Sequence, residues 1–183
     1  MPHVSVHALD AGILTLPLCR FVAPLDDPTE TSTVPSLSFL IQHHDPKCSK
    51  VTRIVFDLGI RRDLSKYPES LQETLANRPP VSGKPDVVES LARGGLKPGN
   101  IDYVIYSHVH WDHVGTPSDF SSSQFVVGPR SIGLLLGTAP ADEIGSNTFE
   151  PDLVPLNRII ELHNYTENPI TNARIPDIFT QPW

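Results

Sequence analysis

The stretch from Asn100 to His113, NIDYVIYSHVHWDH, constrains the fold more than any other part of the chain. Its first half is of strand length and rich in β-branched and aromatic residues, and it reads as a buried strand. Its second half, Ser107-His108-Val109-His110-Trp111-Asp112-His113, packs three histidines and an aspartate into six residues. A buried strand must therefore end here and deliver a cluster of nitrogen and oxygen ligands. A polar loop can contain histidines by accident. Histidine is a rare residue, however, and four ligand-type side chains in six positions after a buried strand are hard to obtain that way.

Around this strand the chain alternates between strand and helix patterns. ILTLPL, SLSFLIQ and VTRIVFDLG are apolar or alternating runs of strand length. The polar segment HHDPKCSK between the second and third contains Asp45-Pro46, which is turn chemistry, so residues 36–59 read as a hairpin. YPESLQETLANRPP has Leu71 and Leu75 one helical turn apart and stops at Pro79-Pro80. PDVVESLARGG opens with Pro85 and Asp86, aligns Val87, Val88 and Leu91 on one face, and closes at Gly94-Gly95. QFVVG is a further short strand. After Gly137 proline breaks the pattern, and only NRIIEL has strand character. No repeat or linker divides the chain, so residues 1–183 read as one α/β domain, incomplete at its far end.

Composition narrows the function classes. Nineteen prolines in 183 residues is about twice the usual share, but they are scattered and form no PxxP array, which indicates a loop-rich rather than disordered chain. A net charge of -7, with basic residues at most paired as in Arg61-Arg62, leaves nothing to neutralise a phosphate backbone, so nucleic acid is excluded as a partner. The apolar run AGILTLPLC contains Pro17, lacks a preceding basic segment and is too short to span a bilayer. A cytoplasmic protein with no membrane partner is the expectation. Cys19 and Cys48 form no CxxC and adjoin no histidine at finger spacing, so neither a disulfide framework nor a structural zinc site is expected.

The ligand cluster points to hydrolysis. Imidazole and carboxylate are the usual ligands of zinc. In an extended or sharply turning segment residues two apart point the same way, so His108 and His110 can reach one metal while Asp112 and His113 turn toward a second. Two metals sharing a hydroxide supply a strong nucleophile at neutral pH, and one of them polarises the carbonyl under attack. No redox step is needed.

His108-x-His110-x-Asp112-His113 resembles the HxHxDH signature of the metallo-β-lactamase superfamily. IVFDLG is similar to that family's earlier strand ending in Asp-x-Gly, and HVGTPSDF with FVVGP resembles the segment that follows its signature. The likeness extends from about residue 10 to about residue 130 and is nearest to the lactonase-like branch, especially fungal members that hydrolyse lactones or lactams. The resemblance implies an αββα sandwich, of which this chain would carry the N-terminal half and a loop-rich tail. It implies two Zn2+ in a complete site, with His108 and His110 on the first and Asp112 and His113 on the second. It implies that Asp112 also hands a proton to the leaving group, and that Asp57 orients the signature loop from behind the ligands. The implied substrate is a small cyclic ester or amide, with benzoxazolinone-type lactams as a detoxification target. A thioesterase of the same superfamily is a close variant, and a non-catalytic half-sized protein that self-associates is the rival from another class. An iron oxidoreductase would need flavin or rubredoxin-like segments.

The family completes its site with a later Gly-His, a bridging aspartate and a last histidine. After His113 only His163 is available, without a preceding glycine, and Asp119, Asp142, Asp152 and Asp177 follow no convincing strand. Arg130 stands where relatives often carry glycine, at a backbone position an arginine resists. His43-His44-Asp45 reads as a solvated turn. His3 and His7 could pair only on a helix, which Pro2, Gly12 and Pro17 disfavour. Trp111, between two candidate ligands, either walls a substrate pocket or anchors the loop.

Overall fold

The computed structural model describes residues 3–47, 50–138 and 154–162. One sheet of six strands, in the order β1-β2-β3-β4-β5-β6, organises them. β1 (His3–Pro17) and β2 (Thr31–Asp45) are long antiparallel partners, and β3 (Lys50–Phe56) continues the antiparallel run. Thr, Val and Ile recur along all three, side chains that fit a pleated, half-buried surface. The expected hairpin thus forms, but His43, His44 and Asp45 belong to the end of β2 rather than to its turn. The ladder simply extends further than the polar character of these residues suggested. His44 pairs across the ladder with His3, and their rings stack at 4.2 Å.

β1 changes register between Asp10 and Ile13, the mark of a bulge. Gly12 sits in it at φ +94°, where a Cβ would lie 2.4 Å from the Ser82 carbonyl oxygen. The backbone approaches too closely there for any side chain.

β3 passes to β4 (Tyr103–Ile105) through α1 (Glu69–Ala76) and α2 (Val87–Arg93). The strands are parallel, a pairing that requires such a crossover. Both helices form where their apolar spacing and end signals predict. Leu71 and Leu75 of α1 are buried, as are Val87 and Leu91 of α2. The Asp86 carboxylate accepts the Glu89 amide hydrogen at 2.9 Å, which caps α2. β5 (Gln124–Val127) and β6 (Ile159–Glu161) extend the parallel part, and α4 (Ser131–Leu135) lies between them; α3 is the short turn Trp111–Val114.

Alternation along the central strands creates two apolar faces. Val55, Val104, Phe125 and Val127 pack with Val87 and Leu91 in the main core. Ile54, Tyr103 and Val126 point the other way and gather Ile41, Ile105 and Ile160. On β1 and β2, Val4, Val6 and Leu37 are well exposed. Among the described residues no helix is long and apolar enough to cross a membrane.

Candidate functional site

The parallel register between β3 and β4 builds the site. Phe56 lies opposite Ile105, so the chain leaving β3 at Asp57 runs beside the chain leaving β4 at Tyr106 and Ser107. Two segments fifty residues apart in sequence therefore meet at the carboxyl ends of adjacent parallel strands, where open α/β sheets commonly hold ligands. A bridge between Gly59 and Val114 continues the association past the strands.

Asp57 is the hub of this junction. Its carboxylate accepts the Ser107 amide hydrogen at 2.8 Å and the Ser107 hydroxyl hydrogen at 2.6 Å, and it accepts the His113 Nδ1 hydrogen at 2.9 Å. Its own carbonyl accepts from the buried Ser38 hydroxyl at 2.7 Å. Asp57 is only 3% exposed and adopts φ +59°, left-handed backbone that asparagine and aspartate tolerate better than most residues. The bond to Nδ1 fixes the His113 tautomer and leaves its Nε2 toward Asp112, 3.7 Å from Oδ2.

The three signature imidazoles lie together. The His108 ring centroid is 4.6 Å from that of His110 and 4.0 Å from that of His113. Burial pushes the His108 pKa below its ordinary value, and the neighbouring His113 and His110 push it further. Burial likewise lowers His110. Burial also acts to lower His113, but the Asp57 bond and the charges of Asp112 and Asp57 outweigh it, and the net shift is upward. Two of the three rings are thus held neutral, the form in which an imidazole nitrogen donates a lone pair.

In donor chemistry this set fits a divalent metal: neutral imidazoles, a carboxylate beside them, and a carboxylate behind that fixes one ring. In arrangement it remains open. Among the described residues no group of three or more His, Cys, Asp or Glu side chains is assembled to hold a metal ion. Of the extended and sharply turning forms expected of the segment, its second half takes the turning one. Trp111–Val114 is a single helical turn, with His110 as its N-cap.

Trp111 anchors the loop. Its ring meets Tyr67 edge-on at 5.6 Å and packs into a second core cluster with Leu14, Ile60, Leu71 and Leu75. Asp119, weighed above as a late ligand, instead binds Arg62 Nη2 at 2.6 Å, and Arg62 Nε donates to the buried Asp86 at 2.6 Å. Arg130 does occupy left-handed backbone, at φ +70° where the chain enters α4. Cys19 is exposed. Cys48, Asp142, Asp152, His163 and Asp177 lie outside the described residues.

Several residues of the site carry no motif. Ser107 adjoins the cluster in sequence, and that adjacency is its only local signal. Ser36 and Ser38 left a fainter trace, two serines alternating with Leu37 and Phe39, so that one face of a core strand is polar. Tyr67 gave none.

The sequence model of the metallo-beta-lactamase superfamily matches residues 31–128, more than half of the chain, and the chain belongs to that superfamily. The gamma-lactamase FDB1 of Fusarium pseudograminearum is 36% identical over 130 residues, 69% of this chain and 32% of that protein. The chain therefore spans about a third of the length of this curated relative. A probable metal-dependent hydrolase from Staphylococcus aureus superposes with a TM-score of 0.64 at 19% identity, over 90% of this chain and 60% of the other. An N-acyl homoserine lactone hydrolase, solved with N-hexanoyl-L-homoserine at its catalytic metal centre, gives 0.62 at 18% identity, over 90% and 62%. At such identities the likeness concerns the fold: the six-stranded mixed sheet with its helices is the metallo-β-lactamase α/β fold, spanning about 60% of these chains.

Proposed function

We propose that this chain carries the signature part of the metal site of a hydrolase that opens lactone or lactam rings. The observation that carries the reading is the gathering of His108, His110, Asp112 and His113 at the end of β4, with Asp57 of the neighbouring strand holding His113 from behind. Those four residues are the ones that would hold a divalent metal, with zinc the expected ion. When bound, such a metal lowers the pKa of water and polarises a carbonyl, which suits hydrolysis of an ester or amide. The chain's own groups do the rest. Burial keeps His108 and His110 unprotonated and available. Asp57 holds the His113 Nδ1 hydrogen, so Nε2 alone faces the site. Asp112, with Oδ2 3.7 Å from His113 Nε2, would carry a proton for a departing alkoxide or amine.

The relatives support the cyclic substrate class: one is a gamma-lactamase and a structural neighbour is a lactone hydrolase. Benzoxazolinone-type lactams are the specific substrates we would try first. A second reading draws on the arrangement of the side chains. In it the chain holds metal without turning over, a binding protein rather than an enzyme, and the side chains are not assembled as a group of three or more metal donors among the described residues.

Desalted protein should retain about one zinc per chain by elemental analysis, because four protein donors serve one ion well and two poorly. His108→Ala with His110→Ala should abolish it. Equal zinc in parent and double variant refutes the reading. Zinc without hydrolysis of any γ-lactone or γ-lactam supports the binding protein over the enzyme.

A further inference from the structure

The turn that carries Asp112 and His113 is too short to satisfy its own backbone. The last four carbonyls of any helix lack partners within it, and Trp111–Val114 has only four residues. Every one of these carbonyls is nonetheless taken, each by a different part of the chain. The Trp111 carbonyl accepts from the Tyr67 hydroxyl at 3.1 Å, and that of Asp112 accepts from the Ser36 hydroxyl at 2.8 Å. The His113 carbonyl accepts from the Leu58 amide at 2.8 Å, and that of Val114 accepts from the Tyr106 hydroxyl at 3.1 Å. The donors come from β2, from the chain just after β3, from the stretch before α1 and from the end of β4.

Four consecutive carbonyls are thus pinned by donors from four separate parts of the chain. Each pinned carbonyl fixes the plane of one peptide unit, because the peptide bond does not rotate. The planes on both sides of Asp112 and of His113 are fixed in this way, and with them the directions in which the two side chains leave the backbone. The hydroxyl donors are well buried: Ser36 is 6% exposed, and Tyr67 and Tyr106 are each 3% exposed. The Tyr67 oxygen also accepts the Arg61 amide hydrogen at 2.8 Å, so its own hydrogen is left to point at Trp111. Ser36 is a buried polar residue of β2, and its hydroxyl finds its partner in the Asp112 carbonyl.

We propose that Ser36, Tyr67 and Tyr106 are positioning residues, whose hydroxyls, with the Leu58 amide, lock the Trp111–Val114 backbone and so aim the Asp112 carboxylate and His113 imidazole into the site. The proposal rests on the metal-binding reading above. Each acts on the turn through a backbone carbonyl.

The test compares Ser36→Ala, Ser36→Thr and Tyr67→Phe with the parent chain, using Ser123→Ala as control. Ser123 is fully buried and donates to the Ile101 carbonyl at 2.7 Å, a bond of the same kind away from the site. Two readouts are taken: amide hydrogen exchange across residues 111–115 in metal-free protein, and cobalt(II) titration followed by its visible absorption bands. Ser36→Ala and Tyr67→Phe should each speed exchange across the turn several-fold, weaken cobalt binding about tenfold and alter the band pattern. Ser36→Thr, which keeps the hydroxyl, should restore both, and Ser123→Ala should change neither. Unchanged exchange in both Ser36→Ala and Tyr67→Phe, or equal loosening by Ser123→Ala, overturns the proposal. If the parent takes up no cobalt, the metal reading fails, while the exchange comparison still decides whether these hydroxyls hold the turn.

Discussion

Removing the Asp57 carboxylate should damage this protein more than any other single change near the site. Three hydrogen bonds from two residues end on that side chain, which is almost fully buried. A hydrogen bond to a charged group contributes about 1.5–3 kcal/mol, and the two from Ser107 act as one unit, so Asp57→Ala should cost roughly 3–6 kcal/mol. The backbone adds to this, because φ +59° is harder for alanine than for aspartate. Asp57→Asn separates the contributions. It tolerates the same backbone and can still accept the Ser107 amide hydrogen, but it sets an amide against the Ser107 hydroxyl or His113 Nδ1. Its expected cost is about 1–3 kcal/mol. Urea denaturation of metal-free protein followed by far-UV circular dichroism measures both. A domain of this size has only about 5–15 kcal/mol in total, so the alanine variant should lose a large share of its midpoint. An alanine variant within about 1 kcal/mol of the parent, or asparagine worse than alanine, would refute the idea that this carboxylate ties β3 to the signature loop.

Three further outcomes follow from the same geometry. Gly115→Ala should cost about 2–5 kcal/mol in thermal unfolding, since a Cβ there would lie 2.5 Å from Leu58 Cβ and 2.6 Å from its carbonyl oxygen at φ +59°; a neutral effect would mean this turn is free to move. Arg62→Met should cost about 1–2 kcal/mol, less than a fully buried pair because the guanidinium is 34% exposed, and Asp119→Asn should add little on top of it. The histidines predict opposite pH dependences in metal-free protein. His113 has a raised pKa, so its contribution is complete below the unfolded value and is lost as pH rises through the folded one. His108 and His110 have lowered values, so they cost stability as pH falls through the unfolded value near about 6.5. Relative to the parent, His113→Gln should therefore destabilise more at about pH 5.5 than at about pH 9, and His108→Gln with His110→Gln should be relatively favoured at the lower pH; melting curves showing the reverse would sink the assignment.

Much of this was legible because it is written locally. The cores of β2 through β6 announce themselves as apolar runs, and α2 is framed by Asp86 and by Gly94-Gly95. The lengths were not: β1 and β2 each run to fifteen residues, and His43-His44-Asp45 continue a ladder although their composition suggests a turn. Pairing with a neighbouring strand overrode local polarity there. α4 carries too few residues to show a period, and it went unseen.

The sequence by itself determined the family and the side chains of the candidate site. Three imidazoles and a carboxylate in six positions are a local fact, as is the apolar strand that delivers them. Only the tertiary structure decided how that chemistry is held. Asp57 meets His113 because β3 and β4 run parallel in a register that sets Phe56 beside Ile105, and nothing in either segment alone encodes that register. The carbonyls of Trp111–Val114 find donors at positions 36, 58, 67 and 106, brought together by the closure of the core around them. Ligand identity is a property of side chains and can be read one residue at a time. Ligand direction is a property of the backbone, and its restraints come from wherever the fold places them.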